Sequence, residues 1–168
     1  MRECDITLEV DCPPERFWAL YFDDDFNRDT FLYGLRWSEP TIVEFSEDER
    51  EILRVITAQP RLELGPKVSK MISETLGYRE QGRFDKREGK FRFRNRTNIF
   101  GDRMELRGEM WAEPLGDDRM RWRSRLKIEC SIFGVGGIIE RVAEYNALAS
   151  WPMCSNYWNR WLKEHPQD

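Results

Sequence analysis

Apolar and polar residues alternate at the start of the chain, with Ile6, Leu8 and Val10 set against Asp5, Thr7 and Glu9. A period of two predicts a half-buried strand. Pro13 and Pro14 follow and open a helix, because a missing N–H does no harm in a first helical turn. Phe17, Trp18, Leu20 and Tyr21 supply its apolar filling. The acidic run DDDFNRD reads as a loop or a second short helix carrying Phe26, with Phe31 and Leu32 beyond it. Pro40 interrupts LRWSEPTIVEF and marks an edge or a bulge, and REILRVITAQP is strand-like after the turn SEDE. PRLELGPKVSKMISETLG breaks at Gly65-Pro66, then carries helical spacing through Val68, Met71, Ile72 and Leu76. Four further runs, YREQGRFDKREG, KFRFRNRTNI, RMELRGEMWAE and RMRWRSRLKIECSIF, predict successive antiparallel strands joined at REGK, FGD and PLGDD.

The stretch FGVGGIIERVAEY joins the last of these strands to a helix. Glycines at such a junction can cradle a phosphate, but a dinucleotide fingerprint needs G-x-G-x-x-G and a phosphate loop needs a Lys before Ser or Thr. Gly134, Gly136 and Gly137 lead straight into Ile138 and Ile139, so neither pattern is met. The glycines make a corner. A long helix then runs from about Gly137 to Glu164, with Ile138, Ile139, Val142, Tyr145, Ala149, Pro152 and Met153 as the stripe expected to face the sheet. Pro152 predicts a kink. Trp151, Trp158 and Leu162 fall off that stripe: a straight helix turns them outward, whereas a kinked one shifts the core face to include them.

Strand, short helices, a run of antiparallel strands and one long helix make an α+β chain of a single domain, residues 1–168. The arrangement is a helix grip, in which a curved antiparallel sheet wraps around the C-terminal helix, with short helices after the first strand. In this element order, and locally in VDCPPERFWALYFDDD and GVGGIIERVAEY, the sequence resembles the START-like, Bet v 1-like superfamily of polyketide cyclases and lipid-transfer domains. It is also similar to VASt-type sterol-binding domains and to an uncharacterised bacterial START-like family. The resemblance implies an apolar cavity between sheet and helix that holds lipids, sterols or other hydrophobic molecules.

Strand alternation sorts side chains into inner and outer sets. Phe91, Phe93, Asn95 and Thr97 share the inner face with Met110 of the next strand and with Trp122, Ser124 and Leu126 of the last. Together with Val142, Tyr145 and Ala149 of the helix they form the expected ligand-binding set. Asn95, Thr97 and Ser124 are polar groups on an apolar face, satisfied internally or serving as handles for a ligand head group. Glu80 shares phase with Tyr78, Gly82 and Phe84. An inward register would raise its pKa and suit it to acid–base work, while a surface register explains it equally well. The outer face carries Arg92, Arg94, Arg96, Arg103, Arg107, Arg121, Arg123 and Arg125 with Glu105, Glu109 and Glu129 among them. That pattern is either a solvated face of cross-strand ion pairs or a docking face for an anionic surface.

Composition narrows the function. Of the 168 residues, 40% are hydrophobic and 13% aromatic, enough to bury a real core. A net charge of −4 despite 27 basic residues argues against nucleic acid as a partner. No apolar run approaches a membrane span and no signal region opens the chain, so the expected location is cytoplasmic. Cys4, Cys12, Cys130 and Cys154 are scattered and read as reduced thiols. No metal cluster is spaced for ligation, and no cofactor is expected. The only histidine, His165, stands near the end of the chain, so no Ser-His or Cys-His pair can form in the cavity and no catalytic residue is assigned. The reading is non-catalytic binding or transport of a hydrophobic small molecule, lipid-like or sterol-like, with at most weak peripheral membrane contact. One alternative is cyclase or dehydratase chemistry on a polyketide-like substrate, using Glu80 or Tyr145 with Asn95. The other is an interaction module whose cavity is filled by Phe91, Phe93, Trp122 and the last helix.

Overall fold

The computed structural model describes residues 1–72 and 75–166. Strand β1 (Arg2–Val10) leads into helices α1 (Pro14–Tyr21) and α2 (Asp24–Asp29) and a π-helical turn (Thr30–Leu35). Strands β2 (Thr41–Glu47) and β3 (Glu51–Ala58) follow, then α3 (Gly65–Ser69), β4 (Tyr78–Asp85), β5 (Lys90–Thr97), β6 (Met104–Pro114), β7 (Met120–Cys130) and the long helix α4 (Gly136–Glu164). All seven strands form one antiparallel sheet in the order β1-β7-β6-β5-β4-β3-β2. The helix-grip order expected from the sequence is the order observed.

Local chemistry explains the short elements. Pro13 and Pro14 set the first turn of α1, with Pro13 extended at φ −69° and ψ 157°. DDDFNRD is helical because the Asp23 carboxylate accepts the Phe26 N–H at 2.9 Å, a side-chain cap on α2. The chain leaves the π-helical turn through Arg36, which adopts a left-handed φ of 59°. Val68 is buried within α3, but the helical spacing continued to Leu76 in the sequence reaches Ser73 and Glu74, which lie outside the described residues. The glycine corner before α4 is sterically required. A Cβ on Gly136 would lie 2.5 Å from the Cys130 carbonyl oxygen, and Gly134 has a φ of +79°.

Helix α4 runs unbroken through Pro152, and its face is not the one its large residues suggest. Tyr145 is 56% exposed and Ala149 is exposed as well, so these two sequence candidates lie on the outer side. Ile139, Asn146, Cys154, Trp158 and Leu162 are buried, with half-buried Ala143, Ala147 and Ser150 between them. These positions form one continuous stripe at helical spacing. Trp158 and Leu162 therefore belong to the face that Ile139 begins, and their burial needs no change of phase at Pro152. The physical reason for the correction is that small residues face the sheet in the middle of the helix, where space is left open.

The main core packs Phe17, Trp18, Tyr21 and Phe26 against Phe84, Phe91, Met110, Trp122 and Trp158. Edge-on ring contacts knit it together, as between Phe17 and Trp158 with centroids 5.1 Å apart. A second, smaller cluster gathers Val68, Phe100 and Ile139 near the start of α4. Glu140 fastens that end: its carboxylate accepts the Cys130 N–H at 2.9 Å and the terminal ammonium of Met1 at 3.0 Å. Arg2 reaches Glu144 one turn further on, at 2.5 Å.

Candidate ligand cavity

A cavity of about 170 Å³ lies under α4, between residues of the main core and the smaller cluster. The sheet contributes Phe93, Asn95, Leu106 and Leu126, and the helix contributes Ala143, Ala147, Ser150 and Cys154. Asn27 and Thr30 close it from α2 and the π-helical turn, with Pro60 and Leu62 on a further side. Phe31, Trp37, Pro60 and Leu62 are half-buried, so the cavity reaches solvent on this side.

The segment that brings Pro60 and Leu62 has no secondary structure of its own, and its backbone is held by a side chain of α4. Asn146 accepts the Glu63 N–H at 2.9 Å and donates to the Glu63 carbonyl at 2.8 Å. A second donation to Val142 O at 2.8 Å completes its hydrogen bonding.

A charged cluster is buried in the cavity wall. Arg54 is 3% exposed; it donates to Tyr21 O at 2.9 Å and to Glu80 Oε1 at 3.4 Å. Its guanidinium lies 4.7 Å from the Tyr21 ring centre and 5.1 Å from that of Phe22, a desolvated cation–π arrangement. The other oxygen of Glu80 accepts the Tyr78 hydroxyl at 2.8 Å. Burial, reinforced by the Glu80 charge, holds the Tyr78 phenol well above its ordinary range, so it stays a neutral donor. Burial raises Tyr21 and Cys154 in the same direction, and both remain protonated. Glu80 is thus inward, paired on one side with a cation and on the other with a phenol.

Polar satisfaction in the wall is uneven. Trp158 donates to Thr30 Oγ1 at 3.1 Å, and Thr30 donates in turn to Phe26 O at 2.8 Å. Thr97 Oγ1 accepts the Phe100 N–H at 3.4 Å. By contrast Asn27 Oδ1, Asn95 Oδ1 and Arg54 Nε are buried without a hydrogen-bond partner, and all three residues line this cavity. Trp122 Nε1 and Ser124 Oγ are also unpartnered, but neither residue lines it.

The sequence candidates divide accordingly. Phe93, Asn95, Thr97 and Leu126 come together in the cavity wall. Phe91, Met110, Trp122 and Ser124 are buried in the packed core beside it; Phe91 is fully buried under Tyr21 and Phe22. Val142 is half-buried against the smaller cluster. The hydroxyl of Tyr145 donates to Glu63 at 3.2 Å on the protein exterior, which removes it from any chemistry inside. Asn27, Arg54, Asn146 and the small helix residues were not among the candidates. Arg54 had a legible signal, since it alternates in phase with Ile52 and Ile56, both buried. Asn27 had none, because an irregular helical turn carries no period.

The outer arginines are mostly engaged. Arg94 pairs with Glu105 at 2.9 Å, Arg96 with Asp102 at 2.7 Å, Arg123 with Glu113 at 3.0 Å and Arg125 with Asp5 at 3.1 Å. This favours a solvated face over a docking face. His165 lies beyond α4 and stacks on Trp161 with ring centres 4.1 Å apart. Among the described residues, no helix is long and apolar enough to cross a membrane, and no three His, Cys, Asp or Glu side chains cluster to hold a metal.

The family model described as "Protein of unknown function (DUF2505)" matches residues 5–162. No curated protein matches the chain. Solved structures do. The chain is similar to the Zhui aromatase/cyclase from Streptomyces sp. R1128, with a TM-score of 0.67 and 14% identity over 95% of this chain and 94% of that one. It is similar to a START superfamily protein from Mycobacterium smegmatis, with a TM-score of 0.63 and 12% identity over 95% and 98%. Norcoclaurine synthase from Thalictrum flavum, in complex with dopamine and hydroxybenzaldehyde, matches with a TM-score of 0.66 and 13% identity over 99% and 89%. At such identities the likeness establishes the fold, which is START-like and Bet v 1-like.

Proposed function

We propose that this chain, which belongs to the DUF2505 family, binds or carries a small hydrophobic molecule in the cavity beneath α4 without altering it chemically. The observation that carries the reading is the stretch of small side chains, Ala143, Ala147 and Ser150, that keeps the space open where large residues would fill it. Phe91 and Trp122 pack beside the cavity rather than into it, which counts against a filled interaction module.

Size narrows the ligand. An apolar cavity of about 150 Å³ takes up benzene, so about 170 Å³ suits one ring with short substituents better than a lipid or a sterol. The norcoclaurine synthase complex, with dopamine and hydroxybenzaldehyde, supports a ligand of that size. A ring burying about 200 Å² at ~25 cal/mol per Å² gains about 5 kcal/mol, a Kd near ~0.2 mM before polar contacts are added. The four free cysteines fit a reducing compartment, in keeping with a cytoplasmic location.

Toluene titrated into the protein should bind 1:1, read by ligand-observed NMR and by the fluorescence of Trp151 and Trp158 in the cavity wall. Ala147→Phe should abolish binding while the protein stays folded, because the added ring occupies the cavity. Equal binding to that variant, or no binding to the wild type, would falsify the reading.

One observation favours a second reading, an enzyme of the cyclase type. Glu80 and the neutral Tyr78 hydroxyl, 2.8 Å apart in the wall, can accept and return a proton at a carbonyl substrate. Glu80→Gln would then retain binding and lose turnover.

A further inference from the structure

Two buried amide oxygens in the cavity wall say what kind of polar group the ligand carries. Asn27 is 6% exposed and stands on α2, while Asn95 is half-buried on β5, so they approach the same space from different elements. Each Oδ1 is buried without a hydrogen-bond partner. A buried acceptor left unpaired carries the full desolvation penalty of the group, and only a hydrogen-bond donor removes it.

The charges of the wall decide which donors fit. Arg54 already gives N–H groups to Tyr21 O and to Glu80, and Nε is its one nitrogen without a partner. Arg96 also borders the cavity, but it is exposed and paired with Asp102 and Glu105. A ligand carboxylate would therefore enter an apolar space beside Glu80 with no uncommitted cation to meet it. A ligand ammonium would stand beside the buried Arg54 guanidinium. A neutral donor meets neither obstacle.

We propose that the ligand is a neutral, one-ring apolar molecule bearing a hydroxyl or N–H donor, and that Asn27 and Asn95 recognise the donor. This rests on the cavity being a ligand site. A hydroxyl suits the wall best, because its proton serves an amide oxygen and its own oxygen can accept from Arg54 Nε–H.

The test uses four one-ring probes, p-cresol and its isostere p-xylene with the slightly larger 4-methylanisole and 4-methylbenzoate. Each is titrated by ligand-observed NMR into the wild type and into the Asn27→Leu/Asn95→Leu double variant. In the wild type p-cresol should bind on the order of tenfold or more tighter than 4-methylanisole, which keeps the oxygen but has no proton to donate. The benzoate should bind weakest. In the double variant the ratio of p-cresol to p-xylene affinity should fall by a similar factor. Equal affinity of the wild type for p-cresol and 4-methylanisole would overturn the inference while leaving the cavity a ligand site, and that comparison needs no variant to fold. Binding of none of the probes would remove the cavity reading itself.

Discussion

Replacing Gly82 by alanine adds one methyl group, and the backbone fixes where it goes. The new Cβ would lie 2.0 Å from Phe91 Cζ and 2.5 Å from its Cε2. The ring has little room to withdraw: Phe91 is fully buried, with Tyr21 at 5.5 Å, Phe22 at 5.8 Å and the Arg54 guanidinium at 5.7 Å from its centre. Overpacking of this kind costs about 1–3 kcal/mol. Loss of glycine's freedom in the unfolded chain returns about 0.4–1 kcal/mol. The net expectation is a loss of about 1–2 kcal/mol, or roughly 2–8 °C in Tm for a chain of this size. Urea unfolding followed by circular dichroism gives the free energy, and a thermal scan gives the shift. Phe91→Leu, which shortens the side chain that clashes, should at least halve the cost of Gly82→Ala in a double-mutant cycle. A Gly82→Ala protein as stable as wild type, or an unchanged cost in the Phe91→Leu background, would refute the packing described for this end of the sheet.

The face of α4 can be tested by charge. Ile139→Asp, at a position 2% exposed, should lower stability by about 3 kcal/mol or more by burying an unpaired carboxylate, whereas Tyr145→Asp should cost less than about 1 kcal/mol on the outer side. Similar losses from the two in urea titrations would mean that the helix is turned differently. Glu140 predicts a pH effect. Burial pushes its carboxyl up, but the Cys130 N–H and the terminal ammonium outweigh burial and hold it below the ordinary 4.5. A carboxyl depressed in the folded state contributes stability above its unfolded value and loses it as pH falls through the folded one. Stability should therefore drop below about pH 4.5, and Glu140→Gln should flatten that part of the profile; an unaltered acid limb in urea midpoints would count against the contact.

The sequence carried most of the fold and only a small part of the cavity wall, and the division has a physical cause. Strands with one wet face announce themselves by alternation, so the inner sets of β5 to β7 were legible down to single residues, Asn95 among them, while the register of Glu80 on β4 stayed open. The corner at Gly136 was legible because only a residue without a side chain fits beside Cys130 O. The face of α4 was misjudged because pattern reading assumes that large apolar residues point inward. That assumption holds for a filled core and fails beside a cavity, where Ala143, Ala147 and Ser150 line the inside and Tyr145 and Leu148 are exposed. The π-helical turn and Asn27 escaped notice because irregular backbone has no period to read. Arg54 escaped although its alternation was visible, since a charge in an apolar strand is ordinarily assigned to solvent.

The sheet order also has a consequence in time. Strands β2 to β7 each pair with the next in sequence, so five of the six ladders can close as soon as a hairpin is made. β1 pairs only with β7, and even the nearest residues of that ladder, Val10 and Met120, are separated by roughly 110 positions. Closing so long a loop costs about 3 kcal/mol more in chain entropy than closing a four-residue turn. Made before the other six strands of this sheet, β1 is thus the last of them to find its partner, and until β7 exists the strand that carries Ile6, Leu8 and Val10 has no ladder to join. Closure of the sheet by β1 therefore waits on β7, and the bonds from Met1 to Glu140 and from Arg2 to Glu144 tie the same strand to the helix that follows β7.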